Sequence, residues 1–292
     1  MKKYEGYRVT FMACSECNEK CKHCYISYSG HRVPEELESC ISVLKDKYRI
    51  KVNGAEPLIN PEYLSSYKKA EQKFILTNGI EIYKDPSLIL KIKANGIEKI
   101  YMSYHFGMHE KISNIPKNII IENIENIHKS GLKVYLMTTL SQSNYRLVES
   151  ICEEAHLLQA DGIMFNNYLL QGNAIDDVNL ILNKNELAIV ALEIEKSRLK
   201  YPRSEFDICK CGSLGANLQS EHNHFKCIAG IDQAVITPDN KVYPCFFLTK
   251  PGFEIGYFDG SSIYITDPIE HDGSECISYN ILNKKMKNRY YK

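Results

Sequence analysis

Three cysteines stand close together near the start of the chain, in Cys17-Asn18-Glu19-Lys20-Cys21-Lys22-His23-Cys24, and Tyr25 follows. A cubane iron–sulfur cluster has four irons and normally takes four thiolates. C-x3-C-x2-C offers three of them and no obvious fourth. One iron would be left open, and an open position on a metal is where a substrate or cofactor binds. A zinc knuckle would pair C-x2-C with a second pair elsewhere, and a bacterial ferredoxin run is spaced C-x2-C-x2-C with a fourth cysteine close by. A second group lies beyond residue 200: Cys209, Cys211, Cys227, Cys245 and Cys276. A zinc site or a second cluster could use these thiolates. Cys209 and Cys211 are separated by one residue, so one of the two is expected to ligate, which leaves four of the five. Cys14, Cys40 and Cys152 read as small buried apolar residues.

The chain has 292 residues, with 36 Lys+Arg balancing 36 Asp+Glu. Zero net charge gives no electrostatic case for nucleic acid or an anionic membrane. Eleven cysteines without an export signal point to metal binding rather than disulfides, in a cytoplasmic, reducing setting. No apolar run is long enough to span a membrane.

The cysteine loops need elements to hold them. From about residue 7 to 200, short apolar runs alternate with longer amphipathic ones. Strands are expected at Tyr7–Ala13, Tyr48–Asn53, Lys73–Thr77, Lys99–Ser103, Lys133–Thr139 and Gly162–Asn166. Helices are expected near 34–46, 61–71, 85–94, 117–130, 145–158 and 185–200, with Pro61, Pro86 and Pro116 at three starts. The alternation predicts an α/β chain, a partial (β/α)6 TIM-like barrel with its site at the C-terminal ends of the strands. Beyond Pro202 the texture becomes rich in cysteine, glycine and proline. A boundary near 203 is expected, giving 1–202 and 203–292, the second a small cysteine-rich α+β extension. A hairpin should join Ala234–Thr237 to Lys241–Tyr243 through Pro238-Asp239-Asn240.

The first loop resembles that of the radical S-adenosylmethionine (radical SAM) enzymes. In that family the open iron chelates the methionine moiety of SAM, and the reduced cluster splits the sulfonium to a 5′-deoxyadenosyl radical. The resemblance extends along the chain. Asn53-Gly54-Ala55-Glu56-Pro57 is similar to the family's GGEP segment, which implies that Gly54 and Glu56 meet the methionine amino group. Thr77-Asn78-Gly79 is similar to its TNG. Ser103 stands where the family often places a serine near SAM, and Asn144 follows strand five. Phe165-Asn166-Asn167 and Gln171-Gly172-Asn173-Ala174 resemble a late segment beside the adenine. Tyr25, Gly54, Glu56, Asn78, Ser103 and Asn144 are thus the expected cofactor contacts. Each of these segments also reads as an ordinary turn. His105 and His109 read as part of a polar loop rather than as catalytic groups.

Cys227 through Tyr243-Pro244-Cys245 resembles the SPASM and twitch extensions, which hold auxiliary [4Fe–4S] clusters. Five cysteines there imply one auxiliary cluster. The resemblance implies a radical SAM oxidoreductase that abstracts hydrogen from a ribosomal peptide, leading to a crosslink, an epimer or an oxidised product. The alternative is a sugar or cyclitol dehydrogenase or epimerase; an electron carrier is a third reading. Expected partners are a peptide or small polar substrate and an external donor such as flavodoxin or ferredoxin. With 16 residues before Cys17, a separate peptide-recognition protein is also expected.

Overall fold

The computed structural model describes residues 1–106, 115–174, 177–210, 214–215 and 226–282. Two compact units emerge. Unit one comprises Met1–Asn18, Ile26–Ile100 and Ile228–His271; unit two comprises Glu19–Tyr25, Tyr101–Cys227 and Asp272–Lys292. Both interleave segments from the two sides of residue 203.

Unit one is built on a seven-stranded sheet. Its strands are β1 (Lys2–Lys3), β2 (Arg8–Met12), β3 (Arg49–Asn53), β9 (Gln233–Ile236), β10 (Lys241–Tyr243), β11 (Gly256–Phe258) and β12 (Ile263–Ile265), in the order β1-β12-β11-β10-β9-β2-β3. The centre is parallel: Val9 pairs with Ile50 and with Ala234. β2 is buried over its last four residues, as a strand covered on both faces requires. The expected hairpin forms, with Val242 opposite Ile236 and Asn240 left-handed at φ 63° in its turn. Helix α1 (Pro34–Leu44) begins on proline with Glu35 and Glu36 in its first turn. Leu37, Cys40, Ile41 and Leu44 recur at three- and four-residue steps and form its buried stripe. Unit one also holds α2 (Leu64–Lys69), β4 (Phe74–Thr77), α3 (Ile80–Lys84) and α4 (Leu88–Ala94).

One side chain serves β3 as a surrogate peptide group. Val52 N–H donates to Gln72 Oε1 (2.7 Å), while Gln72 Nε2 donates to Val52 O (3.1 Å) and Phe74 O (2.8 Å). The buried amide therefore satisfies the outer edge of β3 and the start of β4 at once.

Unit two takes up the alternation after β5 (Lys99–Ser103), the strand in which the chain leaves unit one. It contains α5 (Lys117–Lys129), β6 (Lys133–Leu140), α6 (Val148–Leu157), β7 (Gly162–Asn167), α7 (Lys184–Lys200) and β8 (Asp207–Lys210). β6, β7 and β8 pair in parallel, with Leu136 opposite Ile163 and Ile163 opposite Ile208. All six expected strands are present, and β8 adds a further parallel strand. A capping box of Asn183 and Glu186 starts α7. Among the described residues, no helix is long and apolar enough to cross a membrane.

Candidate active site

In unit one, β2 feeds directly into the loop that carries Cys17. Cys14 O accepts from Ala55 N–H (3.0 Å) and from Tyr28 Oη (2.9 Å), and Glu16 O accepts from Glu56 N–H (3.0 Å). The segment after β3 is thereby laced to the start of the cysteine loop. Gly54 is required by this approach: a Cβ there would stand 2.8 Å from Cys14 Sγ.

Glu56 turns inward and is 1% exposed. Its Oε1 accepts from Leu58 N–H (3.1 Å) and Thr77 Oγ1 (2.9 Å), and its Oε2 from Asn78 N–H (2.7 Å). This carboxylate ties the end of β3 to the end of β4. Burial pushes its pKa up to about 7, against the three hydrogen bonds that favour the charged form. Asn78, held in this way, donates through Nδ2 to Asn18 Oδ1 (2.6 Å) and towards Cys17 Sγ (3.7 Å). Its Oδ1 accepts from Ile80 N–H (3.0 Å), and Asn18 Nδ2 donates to Glu81 Oε1 (2.8 Å). Asn18, inside the three-residue spacer, had no signal in the sequence.

Unit two holds the rest of the loop. Cys24 N–H donates to Cys21 O (3.2 Å), closing a turn between the two thiols. Asn173 donates to both carbonyls, through its backbone N–H to Cys24 O (2.9 Å) and through Nδ2 to Cys21 O (3.0 Å). Gln171 Nε2 donates to Tyr25 O (3.0 Å). The Gln171–Ala174 segment braces the cysteine turn. His105 is buried and sets its ring edge-on to that of His23, with centroids 4.4 Å apart. His109 lies outside the described residues. Ser103 is half-buried at the end of β5. Asn144 is spent on its own loop, accepting from Ser141 N–H (2.8 Å) and donating to Thr139 O (3.0 Å).

The later cysteines fall in both units. In unit two, Cys209 sits on β8 opposite Met164, half-buried near Tyr101 and Tyr135. Cys227 donates its N–H to Gly273 O (2.9 Å), and Cys276 Sγ lies 3.0 Å from Ser278 Oγ. Cys245, in unit one, is buried at the end of the hairpin. Cys211 lies outside the described residues. Among the described residues, no three His, Cys, Asp or Glu side chains are gathered as a metal-binding group, and the ten cysteines are not disulfide-bonded.

By donor chemistry alone, the thiols of the first loop suit an iron–sulfur cluster better than Cys14, Cys40 and Cys152 do. Cys17 is exposed and Cys21 and Cys24 half-buried, whereas Cys14, Cys40 and Cys152 are buried. An amide aimed at Cys17 Sγ suits a sulfur that carries negative charge.

No family model matches the sequence, and no curated protein matches it. Solved structures do. Streptococcus suis SuiB bound to its precursor peptide SuiA superposes with a TM-score of 0.69 at 14% identity, covering 85% of this chain and 61% of SuiB. SuiB bound to S-adenosylmethionine gives 0.67, also at 14% identity, covering 85% and 62%. Native anSMEcpe with AdoMet and the Cp18Cys peptide gives 0.65 at 14% identity, covering 97% of this chain and 96% of the other. The fold is shared with SuiB and anSMEcpe, both of which have been solved with S-adenosylmethionine bound. The chain spans about three fifths of the length of SuiB. In this chain the loop after β2 bears Cys17, Cys21 and Cys24, and the ends of β3 and β4 carry the Glu56–Asn78 lacing beside Cys17.

Proposed function

We propose that this protein is a radical SAM oxidoreductase that modifies a peptide. The observation that carries the reading is a C-x3-C-x2-C loop of accessible thiols following β2 on this fold. Cys17, Cys21 and Cys24 would hold a [4Fe–4S] cluster with SAM beside it. Bound together, these groups supply reductive cleavage of SAM and a 5′-deoxyadenosyl radical that takes hydrogen from an unactivated C–H bond. The chain's own residues position and shield. Asn78 donates towards the Cys17 sulfur, Glu56 fixes Asn78 from behind, and Gln171 and Asn173 hold the turn that carries Cys21 and Cys24. Gly54, Ser103, Asn144 and Tyr25 belong to the strand-end rim on which we place SAM.

Residues 1–202 would form the radical-generating domain. Residues 203–292 would form a twitch-like extension, with four of Cys209, Cys211, Cys227, Cys245 and Cys276 holding one auxiliary [4Fe–4S] cluster. The peptides bound in the SuiB and anSMEcpe structures support a peptide substrate. A flavodoxin or ferredoxin would supply electrons in the cytoplasm, and a separate recognition protein would deliver the peptide.

Anaerobic protein reconstituted with iron and sulfide should carry about eight irons per chain, and about four after Cys17, Cys21 and Cys24 are all changed to Ala. With SAM and dithionite it should release 5′-deoxyadenosine, which the triple variant should not. A fully loaded sample that leaves SAM intact refutes the reading. Zinc in place of the remaining four irons refutes the auxiliary cluster.

A further inference from the structure

A groove of about 640 Å³ opens in unit one at the N-terminal ends of β3 and β4, the opposite end of these strands from Cys17. Its walls are the turn from α1 into β3 and the turn from α2 into β4. Six cations line it: Lys45, Lys47, Arg49, Lys51, Lys69 and Lys73. Asp46 and Glu71 are its two carboxylates. Lys69 is paired with Glu38 and Lys73 with Glu98, both outside the groove. Lys45, Lys47, Arg49 and Lys51 make no ion pair among the described residues. Lys51 is half-buried, with its ammonium 5.5 Å over the Phe74 ring. Burial, then the like charges of Arg49 and Arg8, push its pKa down. A neutral chain has thus concentrated uncompensated positive charge in one concavity, which is the arrangement expected of an anion site.

The backbone adds direction. Arg49 N–H donates to Tyr7 O and Asn53 O accepts from Ala13 N–H, so residues 49, 51 and 53 face β2 with their peptide groups. Ile50 and Val52 face the other way. Gln72 occupies the Val52 groups. Ile50, which lines the groove, directs its N–H and C=O to the outer edge of the sheet. Arg49 and Lys51 project from one face of β3, as alternate residues do. A strand laid against this edge would set every second side chain beside them.

We propose that this groove binds an extended acidic peptide segment, which adds to the free edge of β3 at Ile50 and sets carboxylates at alternate positions against Lys45, Lys47, Arg49 and Lys51. The site is separate from the radical chemistry and is read in protein with or without a cluster. It would hold an acidic part of a partner or precursor at a distance from the reacting part.

The test is fluorescence anisotropy with a labelled peptide of alternating Glu and Val. Saturable binding is expected in dilute buffer, weakening at least tenfold at high salt. Lys47→Glu/Arg49→Glu should weaken it at least tenfold, as should Lys45→Glu/Lys47→Glu, which changes only exposed turn residues. Methylating alternate backbone nitrogens of the peptide should weaken binding severalfold, because strand addition needs those donors. Both variants should keep the parent's melting temperature and its rate of SAM cleavage. No saturable binding, binding unaffected by both folded variants, or equal binding of the methylated peptide would overturn the proposal. So would equal binding of oligothymidylate of the same charge, since that would mark a general polyanion surface.

Discussion

Glu56 gives the sharpest quantitative expectation. Its carboxyl is buried, and its pKa stands near 7 against 4.5 for an ordinary glutamate. The folded state therefore binds a proton more tightly than the unfolded chain. Stability from this group is fully present below the unfolded value and is lost as pH rises through the folded one. Integrating between pH 5 and pH 8 gives a loss of about 2.5 kcal/mol. Every other titrating group contributes to the raw pH profile as well, so the measured quantity is a difference. Glu56→Gln keeps the shape and cannot ionise. Its amide oxygen can still accept from Leu58 N–H and Thr77 Oγ1, but its NH2 would face Asn78 N–H, at a fixed cost of about 1–3 kcal/mol. Urea unfolding of parent and variant at pH 5, 6, 7 and 8 should show the parent losing its advantage as pH rises, by about 2.5 kcal/mol over the range. Parallel profiles would show that the three hydrogen bonds outweigh burial, and the reasoning would fail.

Gly54→Ala should destabilise by about 1–3 kcal/mol, because the new methyl meets Cys14 Sγ. Adding Cys14→Ala should recover much of that loss, and strictly additive effects in urea unfolding would contradict the contact. Gln72→Ala should cost about 2–4 kcal/mol, since it orphans three backbone groups at the β3 edge, and an unchanged denaturation midpoint would count against the bridge. In the reconstituted protein, Asn78→Ala should lower the reduction potential of the first cluster, because an N–H donated to sulfur stabilises the more negative state. A redox titration followed by electron paramagnetic resonance reads this, and an unmoved potential would remove Asn78 from the site.

The strands and helices were legible in the chain because their signal is local. Leu37, Cys40, Ile41 and Leu44 mark α1 by their spacing alone, and Pro34 with Glu35 and Glu36 marks its start. The turn at Pro238-Asp239-Asn240 needed no more than its own residues. The C-x3-C-x2-C spacing likewise fixes three thiols within one loop, whatever the rest of the chain does. The seventh parallel strand was not legible. Asp207-Ile208-Cys209-Lys210 is short and half polar, and it becomes a strand because β7 supplies an edge for it. The parallel docking of β9 on β2 was equally hidden, since it joins residues more than 200 positions apart.

Side-chain roles divide in the same way. The sequence determined that Glu56, Asn78, Gln171 and Asn173 stand at strand ends, where polar groups gather. Only the tertiary structure decided which groups they serve. A buried carboxylate or amide must find partners for its hydrogen-bonding atoms, and those partners come from whichever segments the fold brings within 3 Å. Here they are Thr77 and Asn78 for Glu56, and the cysteine turn for Gln171 and Asn173. Local pattern set the elements; non-local satisfaction of buried polar groups set their duties.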